Sequence, residues 1–346
     1  LKFADAFAAL VRHRAIDRPT MRAAFDAILR GEWTAVQTGA FAAALRALGA
    51  ESEDAIAAGA EAMREAMTPV AHSRVVVLDT CGTGGDGSGT LNISTAAAII
   101  VAACGVAVAK HGNRSVSSRC GSADVVEALG IPLDLSPEQQ AILLRDLGIA
   151  FLFAPAHHPA LKHASQARRE LGVRTIFNAL GPLANPARAT HQLVGVYDDA
   201  LRPVMARALA RLGVKRAWVV RAEDGLDEVS TDAPTRVSDL HADGTVHEIS
   251  ISSNEFGISG NKANSIAGSS SEENAQTIEV LLKTDRSRHA AANSVVLNAA
   301  AALVVAGAES DRRAAAERAR AALDRGEAWQ LLTNWRNAAR ALRGEK

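Results

Sequence analysis

Disulfides, cysteine-bound metals and membrane spans have almost no raw material in this chain. It has three cysteines, Cys81, Cys104 and Cys120, far apart and with no CxxC pair. That excludes a disulfide scaffold and a cysteine zinc motif, and it points to a reducing compartment. Aromatic residues make up only 4% of the chain, too few for a base-stacking platform. No charge sign is in excess, because 38 Lys and Arg face 38 Asp and Glu. A general nucleic-acid binder is therefore not expected, although a local basic site stays open. Apolar runs are short of a bilayer span: residues 96–108 and 299–307, rich in Ala, Val and Gly, fit buried elements instead. The first residues, with Lys2 and Asp5 among short apolar runs before Arg12 and Arg14, read as an amphipathic helix rather than a secretory signal. The expectation is a soluble cytoplasmic protein with no membrane or nucleic-acid partner.

What the chain does have is core. It is 48% hydrophobic and 22% charged over 346 residues, enough for one large domain with an appendage or two unequal domains. Residues 1–70 read as all-helical. Phe3, Phe7, Leu10 and Val11, then Met21, Phe25, Ile28 and Leu29, then Val36, Phe41, Leu45 and Leu48 recur at helical spacing, and a fourth helix follows Ser52 and ends at Pro69. From Val75 the pattern changes to short buried strands at 75–78, 106–109, 149–153, 193–197 and 217–220, alternating with helices. Ser136, Pro137 and Gln139 form a helix start, Asp243-Gly244 reads as a hairpin turn, and three helices are expected to close the chain. The fold class expected is α/β: a small N-terminal all-helical domain, 1–70, and a larger α/β domain, 75–346, with a mainly parallel central sheet.

Between the first strand and its helix lie five glycines in the eight positions 82–89. Gly82, Gly84 and Gly87 satisfy the dinucleotide spacing G-x-G-x-x-G, but that fingerprint needs an acid at the end of the next strand for the ribose. Here the next strand ends in Lys110-His111. A P-loop fits less well still, because no lysine follows the last glycine. A different phosphate or diphosphate holder remains, with Asn92, Ser94 and Thr95 at the start of the following helix. Lys110, His111, Gly112, Asn113, Arg114, Ser115, Val116, Ser117 and Ser118 form a second loop with fixed charge, hydroxyls and little bulk, suited to a multiply charged anion, and Ser122 opens another helix. Asp227 and Glu228 are paired hard oxygen ligands which, beside bound phosphate, suit Mg2+. Residues 155–159 are punctuated by prolines and expected to be irregular, residues 178–186 form a rigid apolar turn, and Arg168 on the basic helix before it could hold a planar carboxylate in bidentate fashion.

Taken together, residues 81–86, 110–118, 121–124, 153–158 and 168–186 resemble the anthranilate phosphoribosyltransferase family, within the nucleoside phosphorylase and phosphoribosyltransferase superfamily (glycosyltransferase family 3). The resemblance covers nearly the whole chain and departs from the family pattern at Cys120 and in most of 254–271. It implies a homodimer, a helical domain joined by a segment near 165–190, and substrates bound in the cleft between the domains. The implied reaction transfers the 5-phosphoribosyl group from 5-phospho-α-D-ribose 1-diphosphate to the amine of anthranilate, with Mg2+, in tryptophan biosynthesis. Gly82, Gly85, Asp86, Thr90, Asn92, Ile93, Ser94, Thr95, the loop Lys110 to Ser118 and Ser122 are implied for the diphosphate sugar. Gly82, His111, Asn113, His158 and Arg168 are implied for anthranilate, and Ser94, Asp227 and Glu228 for the metal. No single catalytic acid or base is implied. A pyrimidine nucleoside phosphorylase is the nearest rival, opposed by the 168–186 block. A non-catalytic nucleotide- or nucleic-acid-binding relative is opposed by the intact acid pair, the complete glycine loop and the balanced charge.

Overall fold

The computed structural model describes residues 1–115, 120–260, 266–283 and 291–345. Its first four helices are α1 (Phe3–His13), α2 (Arg18–Leu29), α3 (Ala35–Ala47) and α4 (Glu53–Ala66). Their starts are set by local chemistry. Asp17 accepts the Thr20 N–H at 2.8 Å ahead of Pro19, and Thr34 and Gln37 cap each other reciprocally at 3.2 and 3.0 Å. Leu10, Met21, Phe25, Ile28, Phe41 and Leu45 are buried as their spacing requires. Val11 and Val36 are not: they are 50% and 77% exposed, on the outer side of the bundle.

The rest is α/β. In order come β1 (Leu78–Gly82), α5 (Ile93–Ala103), β2 (Val108–Gly112), α6 (Ser122–Ala128), α7 (Pro137–Asp146), β3 (Ile149–Phe153), α8 (Ala154–His157), α9 (Lys162–Leu171) and α10 (Ile176–Leu180). They are followed by β4 (His191–Gly195), α11 (Leu201–Arg211), β5 (Arg216–Ala222), β6 (Thr235–Leu240), β7 (Val246–Ile251), α12 (Ser271–Leu282), α13 (Ala292–Val305), α14 (Arg312–Asp324) and α15 (Glu327–Arg343). The seven strands form one sheet in the order β3-β2-β1-β4-β5-β6-β7. The first five in that order are parallel, and β6 and β7 join antiparallel through the Asp243-Gly244 turn. One face packs against α5, α13 and their neighbours, while the other shares a core with α1–α4, α10 and α11.

Several elements differ from the sequence-based expectation. β1 and β2 begin two or three residues later than their apolar runs, and Val75 is 88% exposed. Pairing continues instead through the polar Asp79 and Thr80, because their side chains find partners inside the fold (below). Among the described residues four helices, not three, follow β7, since Gly326 at φ 75° separates α14 from α15. The proline-marked stretch is regular after all: Pro155 sits in the first turn of α8 and Pro159 opens a 3-10 turn, positions where a missing N–H costs nothing. Residues 178–186, expected as a rigid apolar turn, begin as the end of α10 and continue into a 3-10 turn over Gly181–Leu183. Among the described residues no helix is long and apolar enough to cross a membrane.

Candidate active site

Strand order runs outward in both directions from β1 and β4, so the crevice beyond the carboxyl ends of these two strands is the topological switch point of the sheet, where open α/β folds bind ligands. Both strands end in glycine, and the reason is steric. A Cβ on Gly195 would lie 1.6 Å from the Asp227 carbonyl oxygen, and one on Gly82 would lie 3.1 Å from Asp227 Oδ2. Absence of side chains there lets the acidic loop after β5 reach across the switch point. The glycine loop after β1 arrives at the same place, with Gly84, Gly85, Gly87 and Gly89 all at positive φ.

Three acids meet in this crevice. The Asp227 N–H donates to Asp86 Oδ2 at 3.4 Å, and Asp86 also accepts from the N–H and hydroxyl of Ser88 at 3.1 and 2.6 Å. The Asp227 carboxyl is pushed up to about 7, by burial first and then by neighbouring Asp86. Glu228 is pushed up to about 8, by burial and then by Asp227, with Lys110 opposing. Carboxylates this reluctant to ionise side by side call for a cation. No group of three His, Cys, Asp or Glu poised for a metal exists among the described residues. Two carboxylates and a hydroxyl are nevertheless the sparse hard-oxygen set that fits Mg2+, which keeps waters and phosphate oxygens as its other ligands.

The start of α5 is occupied from within. Ser94 N–H donates to Glu228 Oε1 at 3.2 Å, Ile93 N–H to Leu91 O at 2.7 Å, and Thr95 N–H to Asn92 O at 3.1 Å. The amides expected to be free are thus engaged, with Glu228 standing where an anion would. Ile93 and Thr95 are buried, and the Thr95 hydroxyl has no hydrogen-bond partner among the described residues. Asn92 accepts from Asn274 Nδ2 at 3.1 Å, and Thr90 bridges to Ala267.

The second loop also departs from a simple phosphate holder. Lys110 is buried at 3% exposure beneath the glycine loop, donating to the Thr80 carbonyl and, at 3.2 Å, to the Ser94 hydroxyl. Burial lowers its pKa and Asp79 opposes that. Asp79 in turn accepts the His111 N–H at 3.0 Å and Asn185 Nδ2 at 2.8 Å; Asn185 also donates to Ala109 O at 2.8 Å. This lock, which the sequence did not reveal, explains how β1 stays a strand through polar residues. Arg114 is held by Asp124 and Glu127, each at 2.8 Å, rather than left free for a ligand. Asn113 is exposed and accepts the Arg114 N–H at 2.8 Å, and its carbonyl receives the Ala123 N–H at 3.1 Å and the Ser122 hydroxyl at 3.5 Å. Gly112 is required because a Cβ would meet Ser122 Oγ at 2.3 Å. Ser115 N–H donates to Asp124 at 3.3 Å, whereas Val116, Ser117 and Ser118 lie outside the described residues. A cavity of about 610 Å³ opens beside this loop between Arg114, Phe153 and Arg343. Its arginines are offset by Glu127, Asp134 and Glu345, so it offers an anion no excess charge.

His111 and His158 are both buried, with ring centres 5.1 Å apart. Nδ1 of His111 lies 3.1 Å from the Gly181 carbonyl and therefore donates to it, which leaves Nε2 as an acceptor; neither it nor Nε2 of His158 has a hydrogen-bond partner among the described residues. Burial holds both rings neutral: His111 is well below the usual imidazole value, and His158 is lowered to about 4. An unfolded chain takes up these protons near pH 6.5, so stability is present above that pH and is lost as pH falls toward 4. His158→Gln is expected to remove up to about 3 kcal/mol of this acid loss. Thermal unfolding of both proteins across that range checks it, and parallel curves would refute it. Arg168 is half-buried with its guanidinium 5.9 Å from the Phe177 ring, and no carboxylate pairs with it among the described residues. Burial alone lowers its pKa. A sheltered, unpaired guanidinium is a receptor for a carboxylate.

A helical bundle beside a mainly parallel sheet, with a glycine-rich loop and two buried acids gathered at the switch point, is an arrangement suited to a transferase acting on a phosphorylated substrate. The comparisons agree. A family model described as "Glycosyl transferase family, a/b domain" matches residues 74–329, and one described as "Glycosyl transferase family, helical bundle domain" matches residues 4–67. The anthranilate phosphoribosyltransferase of Myxococcus xanthus is 48% identical over 329 residues, 95% of this chain and 96% of that one. That of Symbiobacterium thermophilum is 48% identical over 323 residues, 93% and 94% of the two chains. The crystal structure of the Thermus thermophilus enzyme superposes with a TM-score of 0.91 at 39% identity, covering 97% of this chain and 99% of that one. The Saccharomyces cerevisiae enzyme in complex with PRPP and Mg gives 0.85 at 26% identity, covering 94% of each chain. The chain belongs to the anthranilate phosphoribosyltransferase family.

Proposed function

We infer that the chain transfers the 5-phosphoribosyl group of 5-phospho-α-D-ribose 1-diphosphate to the amine of anthranilate, giving N-(5-phosphoribosyl)anthranilate and diphosphate in tryptophan biosynthesis. The observation that carries the site assignment is the meeting of Gly82, Asp86, Asp227, Glu228 and the start of α5 at one switch point.

The nitrogen lone pair forms the new bond to C1 as the bond from C1 to the diphosphate oxygen breaks, and the nitrogen then gives up one N–H proton to solvent or to the departing diphosphate. The sugar becomes cation-like and the leaving group gains negative charge. Preorganised positive groups on the diphosphate are what this step needs most. The backbone of Gly82 and Gly85 with Asp86, Thr90, Asn92, Ile93, Ser94 and Thr95 is assigned to the diphosphate sugar, together with the Lys110 to Ser118 loop and Ser122. Lys110 acts from below by setting Ser94 and Glu228. Asp227, Glu228 and the Ser94 hydroxyl are the residues that would hold Mg2+, which when bound neutralises charge on the diphosphate. Replacing the Ser94 N–H contact of Glu228 by that role would free the Ser94 N–H for phosphate.

Anthranilate's amine is neutral and already carries its lone pair, so placement matters more than a strong base. Arg168 is assigned to its carboxylate, with Gly82, Asn113, His111 and His158 around it. The unpartnered His111 Nε2 can accept from an amine N–H. Arg168→Ala is expected to raise the KM for anthranilate by about 30- to 100-fold, the loss of a charge-assisted pair, with the KM for the diphosphate sugar little changed. Steady-state kinetics with each substrate varied in turn checks this, and a defect confined to the diphosphate sugar would sink the role. We further propose a helical domain over 1–70 joined by 165–190 to the 75–346 domain, a cytoplasmic location, and a homodimer.

A further inference from the structure

The connector between α9 and α10 carries an arginine that none of these roles uses. Arg174 follows the left-handed Gly172 that ends α9 and precedes Thr175, which caps α10. Its side chain is exposed, yet it is held on two sides. Nη2 donates to the Gly85 carbonyl, and the guanidinium lies 4.4 Å from the centre of the Tyr197 ring. It packs closely on the loop: a Cβ on Gly85 would sit 3.3 Å from both Nε and Nη2. Tyr197 is itself tied to the same stretch, because its N–H donates to Thr83 Oγ1 at 3.0 Å while the Thr83 N–H donates to Gly195 O at 2.9 Å. Residues 83–85 are thereby pinned from β4 on one side and from the connector on the other.

That stretch is part of a loop with four positive-φ glycines, which lose more conformational freedom on ordering than any other residue. A contact that orders the loop beforehand lowers the cost of ligand binding. A guanidinium can donate in the plane of its fork while its flat face stacks on a ring; an ammonium cannot do both. We propose that Arg174 is a positioning residue for the reaction: it holds residues 83–85 in the geometry that receives the diphosphate sugar and links that loop to the helix bearing Arg168. The inference rests on the assignment of the glycine loop to 5-phospho-α-D-ribose 1-diphosphate.

The test compares the full chain with R174A and R174K, varying each substrate while the other is saturating. R174A is expected to raise the KM for the diphosphate sugar about tenfold, with kcat and the KM for anthranilate within about twofold of the parent. Because Arg174 is exposed, the melting temperature stays unchanged, which separates positioning from a general structural role. R174K recovers part of the affinity, since its ammonium reaches the Gly85 carbonyl but does not stack flat on Tyr197. An unchanged KM for the diphosphate sugar in R174A, or full recovery in R174K, would overturn the proposal. Calorimetric titration with the diphosphate sugar reads the same contrast without turnover. An inactive parent that binds the sugar and loses it in R174A would therefore count against the transferase reading alone.

Discussion

The double variant Asp227→Asn, Glu228→Gln is expected to lose about three orders of magnitude in kcat/KM, the scale seen when a leaving-group charge loses its preorganised partners. Its Mg2+ dependence should flatten at the same time. The fold should not suffer. Burial, with Asp86 beside Asp227 and Asp227 beside Glu228, pushes Asp227 to about 7 and Glu228 to about 8, so the ionised pair works against the ligand-free fold. For an acid with a raised folded-state pKa, stability falls as pH rises through the unfolded value toward the folded one. Neutral isosteres escape that loss, and the melting temperature at pH 8 should hold or rise while activity collapses, a stability cost accepted for function. Initial rates across a Mg2+ titration, with calorimetry alongside, check both halves. An unchanged titration would refute the metal assignment.

Lys110→Met should act in the opposite way on stability. Lys110 is the cation buried between the Thr80 carbonyl, Ser94, Asp79 and Glu228. Removing the cation leaves both Asp79 and Glu228 uncompensated, whereas Glu228→Gln leaves Lys110 still facing Asp79; the lysine's loss costs about 3–5 kcal/mol, or roughly 4–7 °C in melting temperature for 346 residues. Asp79 supplies a pH signature. Burial already pushes its carboxyl up to about 6, with Lys110 opposing. Without that lysine it rises further, so this part of the variant's deficit is present at pH 8, shrinks as pH falls toward 6, and is lost below 6, where Asp79 is protonated in both folded proteins. Activity should fall with it, because Ser94 and Glu228 lose the group that sets them. A deficit equal at pH 8 and pH 5 would mean that lost packing, not charge, is the cause.

Much of this architecture could be read from the residues. Ser136 and Gln139 cap α7 reciprocally with Pro137 in its first turn, as their spacing required, and Asp243-Gly244 turns β6 into β7. The alternation of buried strands and helices gave the parallel sheet, and the density of glycine placed the loop at a strand end. The sequence was less informative wherever a polar residue is satisfied by something distant in the chain. Asp79 and Thr80 looked like the end of a strand because their partners, Asn185, His111 and Ser94, arrive from other elements. Lys110 and Arg114 looked alike as phosphate holders, but one is buried under the loop and the other is paired with Asp124 and Glu127. Gly195 gave no local hint of its role, which is fixed by the approach of Asp227 from 32 positions on. Arg174 lay within a block that was recognised as a whole, while its two contacts, Gly85 and Tyr197, flank it from opposite directions in sequence.

The most direct test follows the fluorescence of anthranilate with the purified protein, 5-phospho-α-D-ribose 1-diphosphate and Mg2+, omitting one component at a time. The predicted result is a loss of signal only when all are present, with diphosphate released in equal amount. A folded protein that leaves anthranilate untouched under these conditions, or that instead cleaves thymidine or uridine with inorganic phosphate, would contradict the assignment.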